Sequence, residues 1–341
     1  MNISQKSSIP KYSPKSKSSA VRLTLCLLFG LLIISFAAAL VFGSAAISIR
    51  GAVASALNFD FSSPDFRIFF YVRLPRAVSA VLAGSALAVS GVIIQAVLNN
   101  PMASPNIIGV NSGAGLGAII MIALFPSLSE YIPLAAFAGA VLACLLIYAI
   151  ASRTNAGRLT ITLIGIAVSS ILSAGINTVK TLFPDAVYDA ESFMIGGLSG
   201  MSFAKLTPAC YMILVALLVA LLLSGDIDIL SLGSDSARSL GMNVKFMQLL
   251  LLTLASILAG AAVSFAGLLG FVGLIVPHIM RQIVGGLHRH LIPSSALGGA
   301  ILVLICDTMS RAIFAPYELP VGIILSLLGG PFFIMLVLVK K

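Results

Sequence analysis

Few side chains in this sequence have the type and spacing for chemistry. Asp307 and Arg311 stand four residues apart inside an apolar run, so on a helix they face each other as an i,i+4 ion pair. An unpartnered carboxylate in such surroundings is costly, and a structural pair is the expected reading. A proton relay is the alternative, and it needs a second acid within the apolar runs to continue it. Arg67, Arg73 and Arg76 cluster at the start of another run and call for a local reason. Of the three histidines, His278 follows Pro277 near a break in an apolar run, where a structural hydrogen bond is expected. His288 and His290 flank Arg289 in a short polar stretch and are expected to be solvated. They form no helical metal-binding pair with a third ligand. Cys26, Cys144, Cys210 and Cys306 all sit inside apolar runs without metal-ligand spacing and read as small buried hydrophobes. No phosphate-binding GxxxxGKS or GxxxxGKT, no HExxH and no GxSxG is present. These absences predict a chain with no catalytic residue, metal or cofactor.

The elements that must carry these groups are set by composition. Only 9% of the 341 residues are charged and 59% are hydrophobic, with a mean hydropathy of +1.12. A soluble domain needs about a quarter charged residues to wet its surface. Lipid is therefore the expected solvent, and each span needs roughly 20 apolar residues. Apolar runs at 22–43, 68–98, 106–125, 132–151, 161–183, 206–224, 245–267, 271–286, 294–314 and 319–339 predict an all-α membrane protein of about ten transmembrane helices. The second run is longer than a bilayer requires and should tilt or protrude. The eighth is short and interrupted by Gly and Pro, which suits a helix sheltered by protein. With both termini cytoplasmic, more of the 20 basic residues fall inside than outside. The net charge of +9 follows from that bias and does not imply nucleic acid. Residues 1–20, with Lys6, Lys11, Lys15 and Lys17 among serines and prolines, read as a disordered cytoplasmic tail before a membrane domain spanning 21–341. The apolar run that follows is too long for a cleaved signal peptide.

Two polar segments exceed a tight turn. Residues 184–205 should lie outside with a short surface helix. Residues 225–244 should lie inside, with helix starts at Asp226 and Ser234 and a stop at Gly241. An internal repeat is also visible: AGSALAVSG at 83–91 and AGAAVSFAG at 259–267, with Pro101 and Pro277 related by the same separation. The two copies would run in opposite directions, an inverted repeat of the kind transporters use to frame a pathway.

Residues 73–117, containing RLPR and NNPMASP, residues 267–290, containing GFVGLIVPH, and residues 307–332, containing ELPVG, together resemble the FecCD family of ABC-importer permeases for ferric siderophores, haem and cobalamin. The resemblance covers about residues 20–341. It implies a cell-membrane permease that pairs with a second permease subunit, identical or paralogous. Two ATP-binding subunits would dock inside, and an external substrate-binding protein would deliver the cargo. Arg73, Arg76 and Arg311 match arginines that dock glutamates of that binding protein, a task suited to the bidentate guanidinium fork; anchoring of helix ends at the lipid interface is the alternative. Segment 225–244 matches the coupling region, with Gly233, Ser236, Ala237, Arg238, Leu240 and Gly241 as ATPase contacts; an ordinary surface loop is the alternative. Asn100, Pro101 and Met102 match a position that narrows the pathway near the cytoplasmic mouth, or else simply make a tight turn. The turn at 152–160 fits the family less well.

The function expected from this resemblance is import of a ferric siderophore driven by ATP hydrolysed on another chain. Cobalamin or haem is the alternative cargo. An ion-coupled secondary transporter would need intramembrane ion ligands beyond Asp307, and an intramembrane enzyme would need a nucleophile and base that are missing.

Overall fold

The computed structural model describes residues 14–44, 48–58, 60–153 and 158–339. Fifteen α-helices lie within them: α1 (Pro14–Val41), α2 (Ile49–Leu57), α3 (Pro64–Arg67), α4 (Leu74–Val97), α5 (Val110–Leu124), α6 (Ile132–Arg153), α7 (Arg158–Leu182), α8 (Asp185–Ile195), α9 (Phe203–Leu222), α10 (Ser224–Ser231), α11 (Ser234–Ser239), α12 (Val244–Ala266), α13 (Val272–Val284), α14 (His288–Ala312) and α15 (Val321–Val339). Each of the ten apolar runs falls on a helix. Seven of these helices are long and apolar enough to cross a membrane, while Val110–Leu124, Val272–Val284 and Val321–Leu336 are shorter. Two of the short helices have a physical reason. The backbone before α5 turns through a 3₁₀ segment at Pro105–Ile108, and Gly267–Gly270 hold α12 and α13 apart without helix.

α1 starts at Pro14, inside the stretch expected to be a disordered tail; proline is well placed there because a first-turn N–H has no partner to lose. The rest of that tail, residues 1–13, lies outside the described residues, as do 154–157 of the weakly matching turn.

The long second run is one helix from Pro64 to Val97. Pro75 cannot donate, and its ring crowds the carbonyl four residues earlier. The chain answers by widening into a π-helix over Ile68–Arg73, where Leu74 N–H reaches back five residues to Phe69 O. α4 beyond it is buried over almost its whole length. It packs against α12, α13 and α14, while α12 packs in turn against α6. Close approach is achieved with glycine: a Cβ at Gly84 would strike the backbone of Gly299 in α14, and one at Gly91 the backbone of Gly273 in α13. The two helices that hold the repeated segments, α4 and α12, touch each other and each takes a partner from the opposite half of the chain, α14 and α6 respectively.

Large apolar side chains are exposed along α1, α6, α7, α9 and α15. This is the distribution expected where lipid replaces water around a bundle.

Candidate functional site

α4 and α14 carry polar groups at both ends. At one end, Asp307 is fully buried and receives two guanidiniums. Arg76 reaches it with Nε at 3.0 Å from Oδ1 and 3.2 Å from Oδ2; Arg311 reaches it with Nε at 3.1 Å from Oδ2, the i,i+4 contact. Arg76 also donates through Nη1 to Glu318 Oε2 at 2.6 Å, and Ser44 Oγ donates to Glu318 Oε1 at 2.6 Å. The remaining donors close the end of α1. Its last four carbonyls have no partner within the helix, and they are met by Arg73 Nη1 at Leu40 O and Val41 O (2.7 and 2.6 Å) and by Arg311 at Phe42 O and Ala39 O (3.2 and 3.3 Å). Three cations thus face two carboxylates and the negative end of a helix dipole. Glu318 lies in the loop between α14 and α15. Its partial burial would push the carboxyl up, but the Ser44 and Arg76 contacts outweigh this and hold it below the ordinary value.

Arg73, Arg76 and Arg311 are therefore not presented as free outward forks. They are 4%, 5% and 3% exposed, and the contacts just described turn them toward the protein. Asp307, in turn, has a second basic partner in Arg76 and a neighbouring acid in Glu318.

At the opposite end of the same helices, Asp228 of α10 accepts from the first turn of α14. Its Oδ1 takes the backbone N–H of His288 at 3.0 Å and lies 2.6 Å from His288 Nδ1. The expectation that His288 is solvated is corrected here: it is 3% exposed, because α14 starts at that residue, with Leu287 in the capping position, and turns its ring inward. Arg289 is exposed and His290 half-buried. Nearby, Arg281 Nη2 donates to Gln95 Oε1 at 3.2 Å. His278 pairs with Gln282 at 3.0 Å between their side-chain nitrogens.

Segment 225–244 forms the two short helices α10 and α11. Ile227, Leu230 and Ala237 are buried and fix it to the bundle. Ser236, Arg238 and Leu240 point away and are exposed, as is Leu232. Gly233 and Gly241 turn the chain with φ of 114° and 85°, values that favour glycine. In the 99–105 turn, Asn99 has φ 45° and Asn100 Oδ1 accepts from Met102 N–H at 2.9 Å, the local bond of an Asx turn. Pro101 and Met102 are half-buried.

One feature escaped the sequence reading. α7 carries Thr162, Ser169, Ser173 and Asn177 at helical spacing along one face. Ile161, Gly165 and Val168 bury the other side, where α7 meets the 105–108 turn backbone to backbone at Gly165. Asn106, Ile107, Ile166, Ser169, Ser170, Ser173, Ala174 and Asn177 line a cleft of about 520 Å³ that this chain leaves open. The polar spacing was legible; its position beside an uncovered cleft was not.

The FecCD transport family profile matches residues 31–339. The Fe(3+)-citrate import system permease protein YfmE of Bacillus subtilis is 37% identical, over 86% of this chain and 88% of that protein. The hemin transport system permease protein HmuU of Yersinia pestis is 40% identical, over 81% of this chain and 84% of that protein. Among solved structures, a metal-chelate type ABC transporter in an inward-facing conformation superposes with a TM-score of 0.79 at 28% identity, covering 93% of this chain and 99% of that one.

Proposed function

The chain belongs to the FecCD transport family of ABC-importer permeases, and on that premise we propose that it carries a ferric siderophore across the cell membrane as one of two permease subunits. The observation that carries this reading is the uncovered polar face of α7. Hydroxyl and amide groups along a membrane helix are poorly matched to acyl chains and suit a water-filled path or its protein wall. A second copy of the permease, identical or paralogous, would close the cleft opposite α7. All ten helices would then be embedded, with both termini inside and the two halves related as an inverted repeat, which the reciprocal α4–α14 and α12–α6 packing supports.

In this orientation the Asp307 end is external and the Asp228 end faces the cytoplasm. Ser236, Arg238 and Leu240, between the turns at Gly233 and Gly241 and above the buried anchor Ala237, form the contact for an ATPase subunit. Exposed Leu232 and Leu240 support that reading, since apolar side chains on a polar loop mark a protein contact. Asn100, Pro101 and Met102 stand at the inner mouth as a turn that narrows it. Arg73, Arg76 and Arg311 serve delivery by exchange: a glutamate of the external binding protein takes the place of Glu318 on Arg76, while Arg73 and Arg311 hold the docking ground rigid.

Haem is the second cargo reading, because the haemin permease matches this chain as closely as the ferric citrate permease does; cobalamin remains the family's third cargo class. An ion-coupled mechanism is disfavoured because Asp307 is held by two guanidiniums and has no free valence for an ion. The deciding experiment is uptake in a deletion strain of radiolabelled iron across a siderophore panel, with haem and cobalamin alongside. Vanadate-sensitive iron uptake with one siderophore is expected. Uptake of haem or cobalamin alone would overturn the cargo, and vanadate-resistant uptake the mechanism. Arg76→Lys keeps a cation beside Asp307 but loses the forked contact, and should insert normally yet bind the external protein about tenfold more weakly; unchanged affinity would remove the docking role.

A further inference from the structure

We infer that Asp228 and His288 form the joint through which the coupling segment drives α14. The inference rests on the importer reading and on 225–244 as the ATPase-facing segment.

α14 begins without a cap of its own, since Leu287 in the capping position has no side-chain acceptor. The missing acceptor comes from another element. Asp228 Oδ1 takes both the backbone N–H and Nδ1 of His288, placing a carboxylate at the positive end of a 25-residue helix. Asp228 is held in place from its own side, because Ile227 and Leu230 of α10 are fully buried beside it and α10 packs on both α4 and α14. A displacement of α10 therefore pulls on the first turn of α14 through a polar contact to the backbone and ring of its first residue. α14 then runs as one helix, through Pro293, to Asp307 and Arg311, about 1.5 Å further for each residue. At Gly84 and Gly299 its backbone lies against α4, which holds Arg76. The joint connects the energy-using side with the cluster proposed to receive cargo, and neither Asp228 nor His288 touches cargo or nucleotide in doing so. Both are positioning residues.

The test uses the complete transporter in proteoliposomes, with its ATPase subunits and external binding protein, and the cargo found by the uptake panel. Cargo imported and ATP hydrolysed are measured together for wild type, Asp228→Ala, His288→Leu and His288→Asn. Asparagine can place its amide N–H near the position of Nδ1, whereas leucine cannot. Asp228→Ala and His288→Leu should keep their ATPase subunits on purification but import roughly tenfold less cargo per ATP, a loss within the usual range of coupling between sites. His288→Asn should stay within about threefold of wild type, as expected when a neutral hydrogen bond replaces a similar one. If Asp228→Ala does not assemble, the comparison of His288→Leu with His288→Asn carries the test alone. Wild-type cargo-to-ATP ratios in Asp228→Ala or His288→Leu would overturn the joint, as would equal defects in the two His288 variants. Wild-type vesicles that import without hydrolysing ATP would overturn the importer reading instead, and the joint with it.

Discussion

The two ends of α14 solve the same problem, a charge at a helix terminus, with unequal redundancy. At the Asp307 end the acid is fully buried and held by two arginines, a third arginine closes α1 nearby, and four separate stretches of chain contribute. At the Asp228 end the acid is half-buried and its described partner is one histidine residue, through its backbone and its ring. Burying a carboxylate is tolerable only when its lone pairs and charge are matched, so the first end is fixed by necessity. At the second only Asp228 keeps access to water, and a single residue's contact carries the end. One helix is thus held by a network at one end and by one joint at the other.

Asp307→Ala should break this contrast most severely. It leaves two buried guanidiniums facing each other and should cost about 3–5 kcal/mol, read as a large loss of thermal stability in detergent. A loss under about 1 kcal/mol would mean that the clamp is not a clamp. Arg311→Met comes next. Asp307 keeps Arg76, but the α1 carbonyls lose two donors, for an expected loss of about 2 kcal/mol by the same measurement. Glu318→Gln should cost less than about 1 kcal/mol, because the loop is partly open to solvent. Its pH signature is sharper than its size. The Glu318 carboxyl is held below its ordinary 4.5, so the unfolded chain binds its proton first as pH falls. The contribution of Glu318 is full above about pH 4.5 and fades as pH drops through the lower folded value. Glu318→Gln should remove that acid-side slope from a series of melting curves; an unchanged slope would place Glu318 outside the clamp. His288→Asn should move stability least, by under about 1 kcal/mol. A loss as large as that of Asp307→Ala would erase the difference between the ends.

What was legible in the sequence was what is local. Apolar runs located the helices, because lipid imposes one requirement on every span. Two short helices in 225–244 were readable from Asp226, Ser234 and Gly241, although α10 begins at Ser224, ahead of Asp226, and the Asp307–Arg311 contact was readable from its spacing of four. Arg76 with Asp307 spans 231 residues and Asp228 with His288 spans 60, and no spacing rule reaches that far. His288 was misread because a polar run of His, Arg and His resembles a solvated loop. Only the start of α14 at that residue turns the ring inward. The burial of the three arginines was hidden for a related reason: Arg76 meets acids far along the chain, and Arg73 and Arg311 meet main-chain carbonyls at the end of α1, which carry no sequence mark. The π-helix before Pro75 was not read from the sequence, where the long second run carried only the expectation of a tilt or protrusion.

The contact between Gly84 and Gly299 has a mechanical consequence. Where two helices meet through side chains, the interdigitated layer can re-pack and let one slide past the other by a fraction of a turn. Here backbone lies on backbone, so there is no such layer to shear. At this level α4 and α14 act as one beam, and a load applied there to one is borne by both. Motion that opens a path through this chain has to occur beside the beam, where α7 has one face resting on its neighbours and the other on the open cleft.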